Sequence, residues 1–144
     1  MKKKILIISG GISKERLISL DTGLQVYKEL KRYGYKVKIS EPDFDLVRNI
    51  KNFKPNIIFN ALHGQFGEDG YIQTILEKFK IPYTHSGPVS SSIAMDKDLS
   101  KKIFIKNKIK TPKYFIYSYD LPKYELIKKI KKKIEISNCY QAFK

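Results

Sequence analysis

Acidic residues are scarce in this chain: its 144 residues carry 29 lysines and arginines against 14 aspartates and glutamates, a formal net charge of +15. Tryptophan is absent and Cys139 is the single cysteine. One thiol cannot build an internal disulfide framework, and a reducing, cytoplasmic setting fits. A long apolar leader is also missing. After Met1-Lys2-Lys3-Lys4 the apolar stretch runs only from Ile5 to Ile8 before Ser9-Gly10-Gly11, too short for a signal core or a membrane span. The reading is a buried first strand behind a solvated basic end, with no membrane partner. The lysine excess raises nucleic acid as a partner. However, the lysines are spread along the whole chain and no recognition motif accompanies them. The densest run, Lys128-Lys129-Ile130-Lys131-Lys132-Lys133, coincides with Leu126, Ile127, Ile130 and Ile134 at helical spacing. That pattern is one apolar face surrounded by solvated lysine, so no nucleic acid is expected.

What is present suffices for a core: 42% of the residues are hydrophobic and 12% aromatic. The length suits one ordinary domain, or one domain plus the opening of a second. Ile5-Leu6-Ile7-Ile8 is a continuous apolar run ended by glycines, as in a strand buried on both faces. Leu17, Leu20, Leu24, Tyr27 and Leu30 recur at three and four residues and predict a helix closed by Gly34. Tyr35 to Ile39 reads as a second strand. Leu46, Val47, Ile50 and Phe53 form a short helix stopped before Pro55. Ile57-Ile58-Phe59 is a third strand, Ile72 to Phe79 another helix, and Ile81-Pro82-Tyr83-Thr84 a short fourth strand. Such alternation defines an α/β fold with a parallel sheet for residues 1–95. From Asp98 the pattern changes to a helix ending at Lys106, an extended Tyr114-Phe115-Ile116-Tyr117 and the lysine-rich helix. A domain boundary is placed near Met95 to Lys97.

In a parallel sheet, ligands gather beyond the carboxyl ends of the strands. Two loops there stand out. Ser9 to Arg16 joins the first strand to the first helix. Its paired glycines admit a ligand to the backbone and the helix start favours an anion, yet a plain strand-to-helix turn has the same pattern, and the dinucleotide spacing G-x-G-x-x-G is missing. Glu15 either complements the helix dipole or holds a substrate ammonium. The second loop, Asn60 to Gly70, carries His63, Glu68, Asp69 and three glycines. His63 either packs the loop or donates hydrogen bonds to phosphate oxygens and developing charge. Glu68 and Asp69 are read as caps of the next helix.

Together these segments resemble the D-alanine–D-alanine ligase family. The matching stretches are Gly10 to Arg16 with Ser19-Leu20, Leu62-His63-Gly64 with Gly67-Glu68-Asp69-Gly70, Ile81 to Thr84 with Ser86-Gly87, and Ala94-Met95-Asp96-Lys97 with Lys101 or Lys102. The resemblance implies a Rossmann-like, pre-ATP-grasp substrate-binding domain over residues 1–95. Residues 96–144 would open an ATP-grasp domain, which is then incomplete. It further implies an ATP-dependent, magnesium-assisted joining of two D-alanines through an acyl phosphate for peptidoglycan synthesis, and it leaves room for a homodimer. By position, Glu15 matches the carboxylate that engages the first substrate's ammonium, and His63 the histidine beside the transferred phosphoryl group. Lys97 matches a lysine that contacts ATP. Lys144 matches a second ATP lysine, though Tyr140 to Phe143 fit the expected strand loosely. His85 departs from the family pattern, which has glycine between Thr84 and Ser86. The glycine-serine loop over the phosphates, the substrate-binding arginine and the magnesium ligands are expected beyond Lys144. No metal ligand is expected within the chain, which by itself is expected to be inactive. The alternative is a stand-alone binding module of the same ancestry that has lost catalysis.

Overall fold

A computed structural model describes residues 2–114, 116 and 122–133. The first compact unit spans Met1–Lys97, and a second begins at Asp98. In the first, strand β1 (Lys4–Ile8), helix α1 (Arg16–Arg32), strand β2 (Lys36–Ser40), helix α2 (Leu46–Phe53) and strand β3 (Ile57–Asn60) alternate, followed by helices α3 (Tyr71–Glu77) and α4 (Pro88–Met95). The sheet has the order β2-β1-β3. Both pairings are parallel, with Ile8 opposite Ser40 on one side and Asn60 on the other. The loops after all three strands therefore leave the same edge, as expected for this α/β class.

Alternation along β1 divides the core. Leu6 and Ile8 join Ile58, Leu46, Ile50, Leu62, Ile72 and Leu76 in one buried cluster, which puts α2 and α3 on that face. The opposite face receives α1. Here the leucine periodicity misleads: Leu17 is 77% and Leu24 43% exposed, while Ser19 and Gly23 are the buried residues of the helix. The reason is close approach, because a β-carbon built on Gly23 would lie 2.6 Å from the Ser9 β-carbon. Only a small-residue stripe lets the helix axis come so near the strand. Gly34 ends α1 at a φ of 79°, as its position predicts.

The fourth strand is corrected to a single parallel bridge between Ile58 and Tyr83. Ile58 N donates to Pro82 O and Thr84 N to Ile58 O, but Pro82 has no N–H for the preceding rung. The following rung is taken by a side chain, with Asn60 N donating to Thr84 Oγ1 at 2.9 Å. Helix α4 lay outside the sequence reading. Its Ser-rich sequence has no apolar period, and its one signal is Pro88 at the first helical position after Gly87.

Tyr83 packs against the core cluster and donates to Glu77 Oε1 at 2.8 Å. Burial first, then that bond and the Glu77 charge, push the phenol from its ordinary 10 up to about 12. Because the neutral phenol is favoured in the fold, its contribution is complete below about pH 10 and fades as pH rises toward 12. Tyr83→Phe should therefore be less stable than the parent at neutral pH. The gap should narrow between those two values, as urea unfolding at stepped pH will show. A constant gap would contradict the assignment.

The second unit contains helix α5, which starts at the last residue of the first unit (Lys97–Lys106), and helix α6 (Lys123–Lys133). Lys101 Nζ donates to Thr111 Oγ1 and Pro112 O, tying α5 to the segment after it. Asp98 accepts from Tyr114 Oη and pairs with Lys102. The Lys102 bond, then the Tyr114 bond, hold its carboxyl below the ordinary carboxylate range. Within α6, Leu126 and Ile130 are half-buried and Ile127 is exposed. Ile134, Phe115 and Tyr117 of the extended stretch, and Cys139 lie outside the described residues. Among the described residues no helix is long and apolar enough to cross a membrane.

Candidate functional site

The three loops at the shared sheet edge enclose a cleft of about 560 Å³, whose lining includes Gly11, Arg16, Phe44, Leu62, His63 and Phe66. Ser19 fixes the first loop to the third strand. Its buried hydroxyl accepts from Gly10 N and donates to Ala61 O, each at 2.8 Å. Gly11 N donates to Glu41 Oε2 at 3.3 Å. Both glycine amides are thus engaged within the protein, and a carboxylate stands beside them. In this arrangement neither amide is left to cradle an anion.

Glu41 is itself neutralised, since Arg16 Nη2 pairs with its Oε1. Glu15 is not. It occupies the amino-terminal cap position of α1 without a side-chain capping bond. Its carboxylate instead lies over Gly64, where a built β-carbon would come 2.7 Å from Oε2. Among the described residues no side chain pairs with it. Gly64 is the neighbour of His63, so the structure brings Glu15 and His63 to one place.

His63 is held on one side and faced by a carboxylate on the other. Thr22 Oγ1 of α1 lies 3.2 Å from Nε2, and Glu68 Oε1 lies 3.9 Å from Nδ1. The expectation for the acidic pair therefore divides. Asp69 organises the start of α3, accepting from Tyr71 N and Phe66 N. Glu68 does not cap; it faces the histidine. Below the loop, Asn60 is 2% exposed and its side chain accepts from Leu62 N and donates to Gly67 O. Gly67 packs directly on the chain beside His63, with a built β-carbon 2.4 Å from that of Leu62.

Lys97 is exposed at the first position of α5. Lys144 lies outside the described residues. Among those described, no group of three or more His, Cys, Asp or Glu side chains gathers to hold a metal. Thr22, Glu41 and Asn60 escaped the sequence reading. For Thr22 a signal existed: Glu15, Ser19 and Thr22 follow one another at four and three residues, a polar stripe on one helix face.

A parallel α/β unit with a mostly apolar cleft at its strand ends, carrying a few polar groups, is an architecture suited to binding a small molecule. The comparisons point to one family. A family model for the D-Ala D-Ala ligase N-terminus matches residues 38–86. A D-alanine–D-alanine ligase of Pelagibacter ubique is 70% identical over 135 residues, covering 94% of this chain and 44% of that protein. D-alanine–D-alanine ligase B of Brucella suis is 46% identical over 101 residues, 70% of this chain and 33% of its own length. The crystal structure of the Bacillus anthracis D-alanine–D-alanine ligase complexed with ATP superposes with a TM-score of 0.72 at 30% identity, over 90% of this chain and 54% of that one. Over the part it spans, the chain is similar to the amino-terminal part of D-alanine–D-alanine ligases. It spans less than half the length of the curated relatives it matches.

Proposed function

We propose that this chain supplies the first-substrate side of an ATP-dependent ligase that joins two D-alanines for peptidoglycan synthesis. The carrying observation is the unpaired Glu15 carboxylate beside His63, with the neighbouring Glu41 already neutralised by Arg16. A carboxylate so placed accepts charge-assisted hydrogen bonds from an ammonium. An amino acid held there by its ammonium would have its own carboxylate to present to the histidine of the same edge. In the proposed reaction the γ-phosphoryl of ATP passes to a carboxylate oxygen of the first D-alanine, leaving ADP. The amine of the second then attacks the carbonyl carbon, the C–O bond to phosphate breaks, and the amine loses a proton.

In this reading Glu15 anchors the first ammonium, and His63 donates to the oxygens on which charge develops. Lys97 and Lys144 meet the phosphates as point charges. Magnesium, when bound, neutralises phosphate charge, and the ATP-grasp parts that would hold it are read as lying outside these residues. Nothing favours the inactive-module alternative.

The test compares two preparations supplied with ATP, magnesium and D-alanine. A complete ligase carrying these residues should release phosphate in step with dipeptide. The 144 residues alone should release none, because positioning and charge neutralisation dominate phosphoryl transfer. D-alanine-dependent phosphate release by the 144-residue chain, or none by the complete protein, would overturn this division of labour.

A further inference from the structure

His85 stands where the family pattern has glycine, and its backbone shows why glycine is suited: φ is 84°, in the left-handed region. A side chain at that position carries a conformational cost. Here the imidazole also makes a contact that glycine cannot, because Asn60 Nδ2 lies 2.8 Å from His85 Nδ1. With the amide donating, Nδ1 must be the bare ring nitrogen.

That contact completes the set around Asn60. Oδ1 accepts from Leu62 N at 3.1 Å, an Asx turn that starts the His63 loop. One Nδ2 proton reaches Gly67 O at 2.9 Å, closing the loop at its other end. The second Nδ2 proton goes to His85. Turning the amide over would set donor against Leu62 N–H and acceptor against Gly67 O, so a single orientation serves. Without His85 one amide proton of this buried side chain would have no partner among the described residues, and an unpaired buried donor is costly.

We infer that Asn60 and His85 form a positioning pair for His63, Asn60 clamping both ends of its loop and His85 completing the hydrogen bonds of the clamp. Their link to catalysis rests on the function proposed above; the clamp itself does not. Neither touches substrate in this account, and both act through the loop.

The test uses the 144-residue chain, observed by ¹⁵N–¹H NMR at about pH 8, where ordinary imidazoles are neutral. His85→Gly suits the backbone and removes the acceptor. His85→Asn tolerates the same φ and places an amide oxygen where Nδ1 was. His85→Gly should speed amide exchange at Leu62, Gly67 and Glu68 on the order of tenfold, leaving Leu6 and Ile7 in the central strand unmoved. His85→Asn should restore slow exchange. Asn60→Asp keeps the acceptor for Leu62 but loses both donors, so Gly67 and Glu68 should exchange faster than Leu62. If it fails to fold, the two His85 variants decide. Unchanged loop exchange in His85→Gly, equal acceleration in the core, or no rescue by His85→Asn would each overturn the clamp. In a complete ligase, His85→Gly should lower kcat and leave the KM for ATP in place. Normal kcat with a loosened loop would sever the clamp from catalysis, whereas an inactive parent protein would count against the proposed function alone.

Discussion

His63→Ala in a complete ligase should lower turnover by a hundred- to a thousandfold, about 3–4 kcal/mol of transition-state stabilisation, as expected for loss of one preorganised donor. ATP affinity should be nearly unchanged. The ring lines the cleft and is braced by Thr22 on one nitrogen and approached by Glu68 on the other. It is therefore aimed before any ligand arrives, which is what makes a donor effective. Lys97→Ala provides the contrast. Its side chain is exposed at the start of α5, and its loss should mainly weaken ATP binding. Steady-state kinetics on both variants, corrected for folded fraction, separate the roles. If His63→Ala works at full speed per folded molecule, the histidine is loop packing and nothing more.

Gly67→Ala should be the most damaging small substitution in the His63 loop. The added methyl would meet the Leu62 β-carbon at 2.4 Å and its carbonyl carbon at 3.0 Å. Leu62 cannot retreat, since it is 3% exposed and belongs to the core cluster with Leu6, Ile8 and Ile58. Gly67 O also accepts from Asn60 and from the buried Gln73 amide, at 2.9 and 2.8 Å. Overpacking of this kind costs about 1–3 kcal/mol, and strain on those two buried hydrogen bonds places the expectation at the upper end. Urea unfolding of the 144-residue chain should show the loss as a lowered midpoint at constant slope. An unchanged midpoint would mean that the loop is packed less tightly than described.

The sheet was legible because strands inside a parallel sheet reduce to short apolar runs between turn residues; Ile5–Ile8 is such a run buried on both faces, and Ile57–Phe59 is one with a half-buried side. The packing of α1 was not. A leucine period announces a helix, but which side meets the sheet depends on how close the axis must come. Gly23 against Ser9 settles that in favour of a small-residue stripe. Helix α4 left only a proline to read, and Pro82 with the Thr84 hydroxyl shortened the fourth strand to one bridge. Within the site, Glu15 and His63 could be picked out because charged and imidazole groups in strand-end loops are conspicuous. Glu41 and Asn60 could not, because a polar residue in a turn or at a strand end looks solvated until its partner across the fold is known, and the polar stripe of Glu15, Ser19 and Thr22 marks a helix face without telling what it meets. Asn60 finds its partners at Leu62, Gly67 and His85, the last of them 25 residues away.

The most direct measurement is dipeptide formation by a complete ligase carrying these residues, followed over a range of D-alanine concentrations for the parent and for Glu15→Gln. The swap keeps the size of the side chain and removes the charge that the ammonium would meet. Losing a charge-assisted hydrogen bond costs about 1.5–3 kcal/mol, so kcat/KM for the first D-alanine should fall by roughly ten- to a hundredfold. The KM for ATP should stay close to the parent value. Equal D-alanine dependence in the two proteins would show that Glu15 does not bind the substrate ammonium, and would contradict the site proposed at this sheet edge.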